Sequence, residues 1–409
     1  MATTQAVAPA AVDTRLKSIP EHFAQDDSQS CIPFSVATAA FSDTKQVTDD
    51  IVAKSGFAGY FENVHPVQIE LCISLIAESF RKLRCDLQRT KPGQKLRRIK
   101  ATGHCQKQLD FCTGMLQEAG LIRSEGDELI RTDKPAPAKA SKEILDQLLE
   151  EHPTVASLNN LIYLAGSQLG NIWSGRVDSI RAIIGDTNGR QYLEDVYGPA
   201  HPSKAFHMLI EDYVARLLKE VHPTETQKLQ VLELGAGTGS TAKWLAPLLA
   251  SSSLPVQYTF TDLGSGFVSQ AARKFQEYSF MEYRAQDIEQ PPPTELVGTQ
   301  DIVIAVNAVH ATRDIVQSLR NTRQYLKPGG IALIMEMQER LCCSDFIFGL
   351  FEGWWLFEDG REHAIAEDVF WKEAFLKAGF THVDWTSGNL KDSGVQKVFM
   401  AMNGGSVAS

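Results

Sequence analysis

The run Val231-Leu-Glu-Leu-Gly-Ala-Gly-Thr-Gly239 constrains the fold more than any other stretch of this chain. An apolar strand enters three glycines at alternate positions, and a helical pattern over Ser240–Ala250 leaves them. Strand, glycine turn and helix in that order form the ligand-facing corner of a doubly wound α/β sheet. Glycines at 235, 237 and 239 let backbone N–H groups and the helix N-terminus approach a ligand without interference from a Cβ. A dinucleotide fingerprint, G-x-G-x-x-G, needs glycine three positions after Gly237, where Ser240 stands. The third glycine comes one position early, so the loop departs from the dinucleotide pattern.

Around this corner the chain changes rhythm near Lys228. Before it, helical periodicity runs through Val67–Phe80, Gln106–Ala119, Lys142–Glu150, Val155–Leu169 and Ala205–Val221. Pro66 is placed to open the first of these. Lys134–Ala140 reads as a Pro/Ala spacer and Gly185–Arg190 as a turn-rich loop. After Lys228, short apolar strands at Val231–Leu234, Val256–Thr261, Ile302–Asn307, Ile331–Glu336 and Val398–Met402 alternate with helical stretches, the pattern of βαβ units on a parallel sheet. The expected organisation is a linker at 1–14, a mainly helical substrate or lid domain at 15–204, a Rossmann-like α/β domain at 205–402 and a second linker at 403–409. Linker-like ends are what a piece of a larger polypeptide carries.

Composition narrows the function classes. Lys plus Arg is 40 against Asp plus Glu at 50 over 409 residues, a net charge of −10, the wrong sign for coating nucleic acid. Seven cysteines form no C-x-x-C pair and no zinc-ribbon spacing, and no side-chain cluster suggests a metal site. No basic leader opens the chain and no uncharged apolar run reaches the length of a membrane span, so the reading is a soluble cytoplasmic protein without membrane contact.

The acidic Glu233 ahead of the glycines gives E-x-G-x-G-x-G, which resembles motif I of the class I S-adenosylmethionine-dependent methyltransferases. Asp262 ends the second strand, where a carboxylate can accept both ribose hydroxyls. Gln286-Asp287-Ile288 follows the third strand, and the resemblance assigns Asp287 to the adenine amino group with Ile288 beside the ring. Leu326-Lys-Pro-Gly-Gly330 precedes the fifth strand, in the family's order. Each feature alone is equally a tight turn or a solvated carboxylate; the four in sequence point to the cofactor.

Strand four reads Asp301-Ile-Val-Ile-Ala-Val-Asn-Ala-Val-His310, and strand five ends at Glu336. Adjacent parallel strands lie about 4.8 Å apart, so the two side chains can meet at the carboxyl edge, where ligands of open parallel sheets bind. A His oriented by a carboxylate suits removal of a proton, from an acidic C–H or a phenol. The alternative is a strand cap and a surface ion pair.

Val306-Asn-Ala-Val-His-Ala-Thr312, Met335-Glu-Met337 and Cys85-Asp-Leu-Gln-Arg-Thr-Lys-Pro-Gly-Gln94 together resemble the C-methyltransferase domain of fungal non-reducing polyketide synthases, including the citrinin synthase type. The resemblance implies methylation of the α-carbon of a β-ketoacyl chain held by phosphopantetheine on an acyl carrier protein, with S-adenosylhomocysteine as product and neighbouring synthase domains as partners. It assigns His310 as base and Glu336 as its partner. Glu233, Gly235, Ala236, Gly237, Gly239, Asp262, Leu263, Asp287, Ile288 and Asn307 fall to the cofactor. Tyr197, just before the α/β domain, either lines the substrate pocket or packs with its hydroxyl at the surface, and Trp354, Trp355 and Phe357 after strand five either wall the acyl pocket, Trp355 being the chosen substrate residue, or simply pack. His207 is expected in a core or on a surface rather than in catalysis.

Residues 81–108 set ten cations against one acid, Asp86, a local +9 inside an acidic chain. A carrier protein or a neighbouring domain is the preferred partner over a merely solvated face. Two competing functions remain: a small-molecule O-methyltransferase with a His base, and a catalytically silent scaffold domain.

Overall fold

The structure, a computed structural model, describes residues 29–403 apart from 199, 201 and 222–226. The linker expected at 1–14, and that at 403–409 beyond its first residue, lie outside the described residues. Strands β1 (Ile122–Glu125) and β2 (Glu128–Arg131) form an antiparallel hairpin that periodicity did not reveal. The remaining strands are β3 (Leu229–Leu234), β4 (Val256–Asp262), β5 (Met281–Ala285), β6 (Gln300–Val306), β7 (Leu326–Met337), β8 (His382–Trp385) and β9 (Gln396–Met402). They make one sheet in the order β5-β4-β3-β6-β7-β9-β8. Pairing is parallel from β5 through β7, and β9 runs antiparallel to both its neighbours. The order reverses between β3 and β6, which opens a crevice beyond their carboxyl ends.

The strands are apolar on both faces, and each face has its own cover. Residues Val231, Ile302, Ile304, Ile331, Leu333, Val398 and Met400 join one hydrophobic cluster with Leu71, Leu161, Phe206 and Tyr213 of the preceding helices. The alternate residues Leu232, Val303, Ala332, Ile334 and Phe399 join a second cluster with Leu319, Trp371 and Phe375. The period of two along each strand thus sends odd and even positions to different layers. The helical segment is docked on the first face, above the crevice.

Its main helices are His65–Lys82, Cys105–Glu118, Ser141–Glu151, Ala156–Trp173, Thr187–Tyr197 and Ser203–Glu220. Two local expectations fail. Strand four ends at Val306, and His310 sits on a 3-10 turn, Val309–Ala311. The Gly185–Arg190 loop is largely a helix start: the Asp186 carboxylate accepts the Asn188 and Gly189 N–H groups, each at 2.9 Å. Gly189 is needed there for space, because a Cβ would lie 2.1 Å from the Ile183 carbonyl oxygen.

Candidate active site

The glycine loop holds three residues in the left-handed region, Gly235, Gly237 and Gly239, with φ of +63°, +53° and +78°. Asp262 ties the loop to the next strand. Its Oδ2 accepts the Gly237 N–H at 2.9 Å and its Oδ1 the Gly264 N–H at 2.7 Å. Each carboxylate oxygen keeps a lone pair for a further donor, as ribose hydroxyls would require. The space a Gly237 Cβ would occupy is open, with nothing within 4 Å. Ala236 donates its N–H to the Thr261 carbonyl, and Leu263 is 72% exposed beside Asp262. Asp287 caps its own turn by accepting the Glu289 N–H at 2.9 Å, and Ile288 packs into the second cluster.

Glu233 does not reach this crevice. It is buried, the Tyr258 hydroxyl donates to its Oε2 at 2.7 Å, and burial pushes its carboxyl up to about 7. His207 is likewise internal: Nδ1 donates to the Ser203 carbonyl at 2.9 Å, and burial brings its imidazole down to about 4.

On the other side of the crevice, His310 and Glu336 meet. Nδ1 of His310 lies 2.7 Å from Glu336 Oε2, while Oε1 accepts the Val309 and His310 backbone N–H groups at 2.9 and 3.2 Å. Glu336 is fully buried, so the carboxylate must be satisfied from within, and these three donors do so. With Nδ1 donating, Nε2 is left as the acceptor, and it has no partner among the described residues. Arg361, paired with Asp359, braces the turn by donating to the carbonyls of His310 and Thr312 at 3.0 and 2.6 Å.

His310 borders a cavity lined also by Tyr197, Ser203, Phe348, Trp354 and Gln396. Tyr197, the last residue of its helix, is partly buried there. Desolvation and the nearby Glu336 charge push its phenol up to about 12, so it stays protonated and can donate. Trp354 stands edge-on to the His310 ring, with 5.7 Å between centroids. Trp355, also expected at the pocket, turns the other way: its Nε1 donates to the Gly349 carbonyl at 2.8 Å and its ring lies under the Lys107 ammonium. Two adjacent tryptophans on a 3-10 turn point differently, and no periodicity reports which faces inward.

Two groups escaped the sequence reading. Asp345 accepts from both Trp354 Nε1 (2.8 Å) and His363 Nε2 (2.6 Å), locking the tryptophan that walls His310. Gln396 opens β9 and contacts Asn307, whose Nδ2 donates to Gln396 Oε1 at 2.9 Å. Asn307 adopts φ +48°, unusual outside glycine, and its buried Oδ1 has no partner among the described residues. An open glycine loop, a carboxylate with lone pairs to offer and an unpartnered amide oxygen together fit a polar nucleoside cofactor. Among the described residues no group of three potential metal ligands is found, and no helix is long and apolar enough to cross a membrane.

Comparison with known proteins gives this geometry its context. A methyltransferase helix-turn-helix domain model matches residues 42–129 and a methyltransferase domain model matches residues 232–332. The non-reducing polyketide synthase tazA of Aspergillus terreus is 41% identical over 367 residues, which cover 90% of this chain and 14% of that protein. The citrinin polyketide synthase of Monascus ruber is 36% identical over 373 residues, 91% of this chain and 14% of that one. The chain therefore spans about one-seventh of the length of the curated relatives it matches. The citrinin polyketide synthase CMeT domain superposes with a TM-score of 0.90 at 36% identity, covering 92% of this chain and 99% of the other. The CurJ carbon methyltransferase shares the fold, with a TM-score of 0.77 at 24% identity and coverage of 90% and 99%. The sheet with its helical N-terminal segment is the class I methyltransferase fold, and the chain belongs to the S-adenosylmethionine-dependent C-methyltransferase domains of fungal non-reducing polyketide synthases.

Proposed function

We propose that this chain methylates the α-carbon of a β-ketoacyl group carried by phosphopantetheine on an acyl carrier protein, with His310 as general base and Glu336 as the residue that orients it. The supporting observation is the 2.7 Å contact between Nδ1 and Oε2, with Nε2 left without a partner among the described residues at the cavity. S-adenosylmethionine, when bound, supplies an electrophilic methyl group on a sulfonium sulfur. The residues to hold it are Gly235, Ala236, Gly237 and Gly239 through the loop backbone, Asp262 and Leu263 at the ribose, Asp287 and Ile288 at the adenine, and Asn307 through its free Oδ1. Glu233, bonded to the Tyr258 hydroxyl, acts indirectly, by fixing the end of the strand that leads into the loop.

His310 Nε2 accepts the α-proton, which is acidic because it lies between two carbonyls. The buried Glu336 carboxylate stabilises the imidazolium that forms, a contribution on the order of 10²–10⁴ in rate for a positioned base. Tyr197 donates its phenolic hydrogen to the acyl chain. Trp354 walls the cavity in place of Trp355. Segment 15–204 acts as the lid and substrate-positioning part, and segment 205–402 as the cofactor-binding part. The helix Ser203–Glu220 crosses their boundary and makes the two segments continuous. The basic stretch 81–108 receives the carrier protein, and the seven free thiols suit a cytoplasmic synthase.

The test is incubation with isotopically labelled cofactor and a β-ketoacyl thioester, for wild type and His310→Ala. Label on carbon, lost in the variant, is expected. Label on oxygen alone would make the chain an O-methyltransferase, and methylation retained by His310→Ala would overturn the base assignment.

A further inference from the structure

Gln396 stands at the start of β9, opposite Met337 and one position beyond Glu336 on the neighbouring strand. Along β9, Val398, Met400 and Met402 face the helical segment, and Gln396 continues their parity into the crevice. The residue is 1% exposed and lines the His310 cavity. A primary amide at such a place is costly unless its polar atoms are satisfied. Oε1 is satisfied, since it accepts from Asn307 Nδ2 at 2.9 Å. Nε2 carries two hydrogens, and neither has an acceptor among the described residues. It is a donor facing a mostly apolar cavity, held by an amide pair whose other member is fixed through the Asn307 N–H to the Met335 carbonyl at 2.8 Å.

We infer that Gln396 is an oxyanion donor: its Nε2–H binds the acyl oxygen on which negative charge develops as His310 removes the α-proton. The inference rests on the C-methylation proposed above. In this step the α C–H bond breaks and its proton passes to His310 Nε2. The bonding pair enters the C–C–O system, and charge accumulates on the two carbonyl oxygens flanking the α-carbon. Two oxygens call for two donors, and the cavity offers Tyr197 and Gln396. A preorganised donor strengthens its bond as the charge grows, so it acts on the transition state rather than on substrate binding. The same amide reaches Asn307 on the cofactor side, so Gln396 joins the substrate and cofactor halves of the crevice.

The experiment reads proton removal directly. Acetoacetyl pantetheine thioester is incubated in D2O with the chain and no cofactor, and deuterium at the α-carbon is followed by mass spectrometry against buffer. Wild type is expected to accelerate exchange and His310→Ala to abolish the acceleration. Gln396→Leu removes the donor. Gln396→Glu removes it as well, while keeping an acceptor for Asn307. Both should slow exchange by about 10²-fold, the scale of losing one oxyanion donor, and Gln396→Glu should bind S-adenosylmethionine with wild-type affinity in calorimetry. Exchange undiminished in both Gln396 variants, with His310→Ala inactive, overturns this inference and leaves the base intact. A loss of exchange matched by a loss of cofactor affinity makes Gln396 a support for Asn307 and overturns it too. Exchange retained by His310→Ala, or absent in wild type, overturns the reading on which it rests.

Discussion

Glu336 holds both the His310 ring and the turn that carries it, with Oε2 on Nδ1 at 2.7 Å and Oε1 on the backbone N–H groups of Val309 and His310. An amide cannot reproduce this. In Glu336→Gln, a carbonyl oxygen turned to the backbone leaves an NH2 facing Nδ1, which must then accept; the ring proton moves to Nε2, and Nε2 ceases to be a base. The opposite rotamer sets the NH2 against two backbone N–H groups. We expect kcat to fall by about 10²–10⁴, the range for losing a positioned base, with cofactor affinity unchanged. Turnover within a few fold of wild type would show that the carboxylate is dispensable.

How far this site was legible before folding depended on the kind of signal each residue carries. Gly235, Gly237 and Gly239 announce themselves because positive φ next to a buried strand leaves little but glycine. His310 and Glu336 were visible as strand-end residues, although His310 belongs to a turn beyond β6. Glu233 was read toward the cofactor from its place in the E-x-G-x-G-x-G pattern, whereas its carboxylate is buried and taken up by the Tyr258 hydroxyl. Gln396 was missed because the apolar run begins at Val398, and a polar residue opening a strand has no apolar signature. Which of Trp354 and Trp355 faces the cavity depends on a 3-10 turn, and Asp345 on its bonds to Trp354 and to His363, 18 residues on, neither of which a local pattern encodes.

The glycine loop separates steric need from ligand need. At 235, an added Cβ would lie 2.6 Å from the Ala308 Cβ, whereas at 237 it would meet nothing. Both substitutions carry the left-handed cost of about 1–2 kcal/mol. Gly235→Ala should therefore lower the melting temperature markedly. Gly237→Ala should fold with a small loss and bind S-adenosylmethionine poorly, since its methyl projects into the open space. Calorimetry at matched folded fraction checks this, and full affinity in Gly237→Ala would remove the loop from the cofactor site.

Buried Glu233 gives a pH signature of its own. Burial raises its folded carboxyl from 4.5 to about 7. Between those values the unfolded chain has released the proton and the folded chain has kept it, so stability falls as pH rises through the window. The loss is complete above pH 7 and amounts to ~3 kcal/mol. Glu233→Gln keeps an acceptor for the Tyr258 hydroxyl and removes the titration. Its melting temperature should match wild type near pH 4.5 and exceed it near pH 8. A constant difference across that range would mean that Glu233 is ionised throughout.

The basic stretch predicts a split between two substrates. Arg81, Arg84, Lys91, Arg97, Arg98 and Lys100 are exposed and form no ion pair among the described residues, whereas Arg89 and Lys95 are matched by Asp86 and Glu128. The stretch ends at Lys107, whose ammonium donates to the Trp355 carbonyl at 3.4 Å, next to the tryptophan that walls the cavity. Unpaired positive charge leading to the cavity wall suits an acidic carrier that must deliver a long arm, and surface charge of this kind steers association more than it stabilises the fold. Arg97→Glu with Arg98→Glu should leave the melting temperature and the rate on a small thioester unchanged. Methylation of a carrier-bound acyl chain should weaken through KM, by roughly tenfold at low salt and less as salt screens the surface. Equal losses on both substrates would place the damage in the catalytic core and remove the stretch as a docking surface.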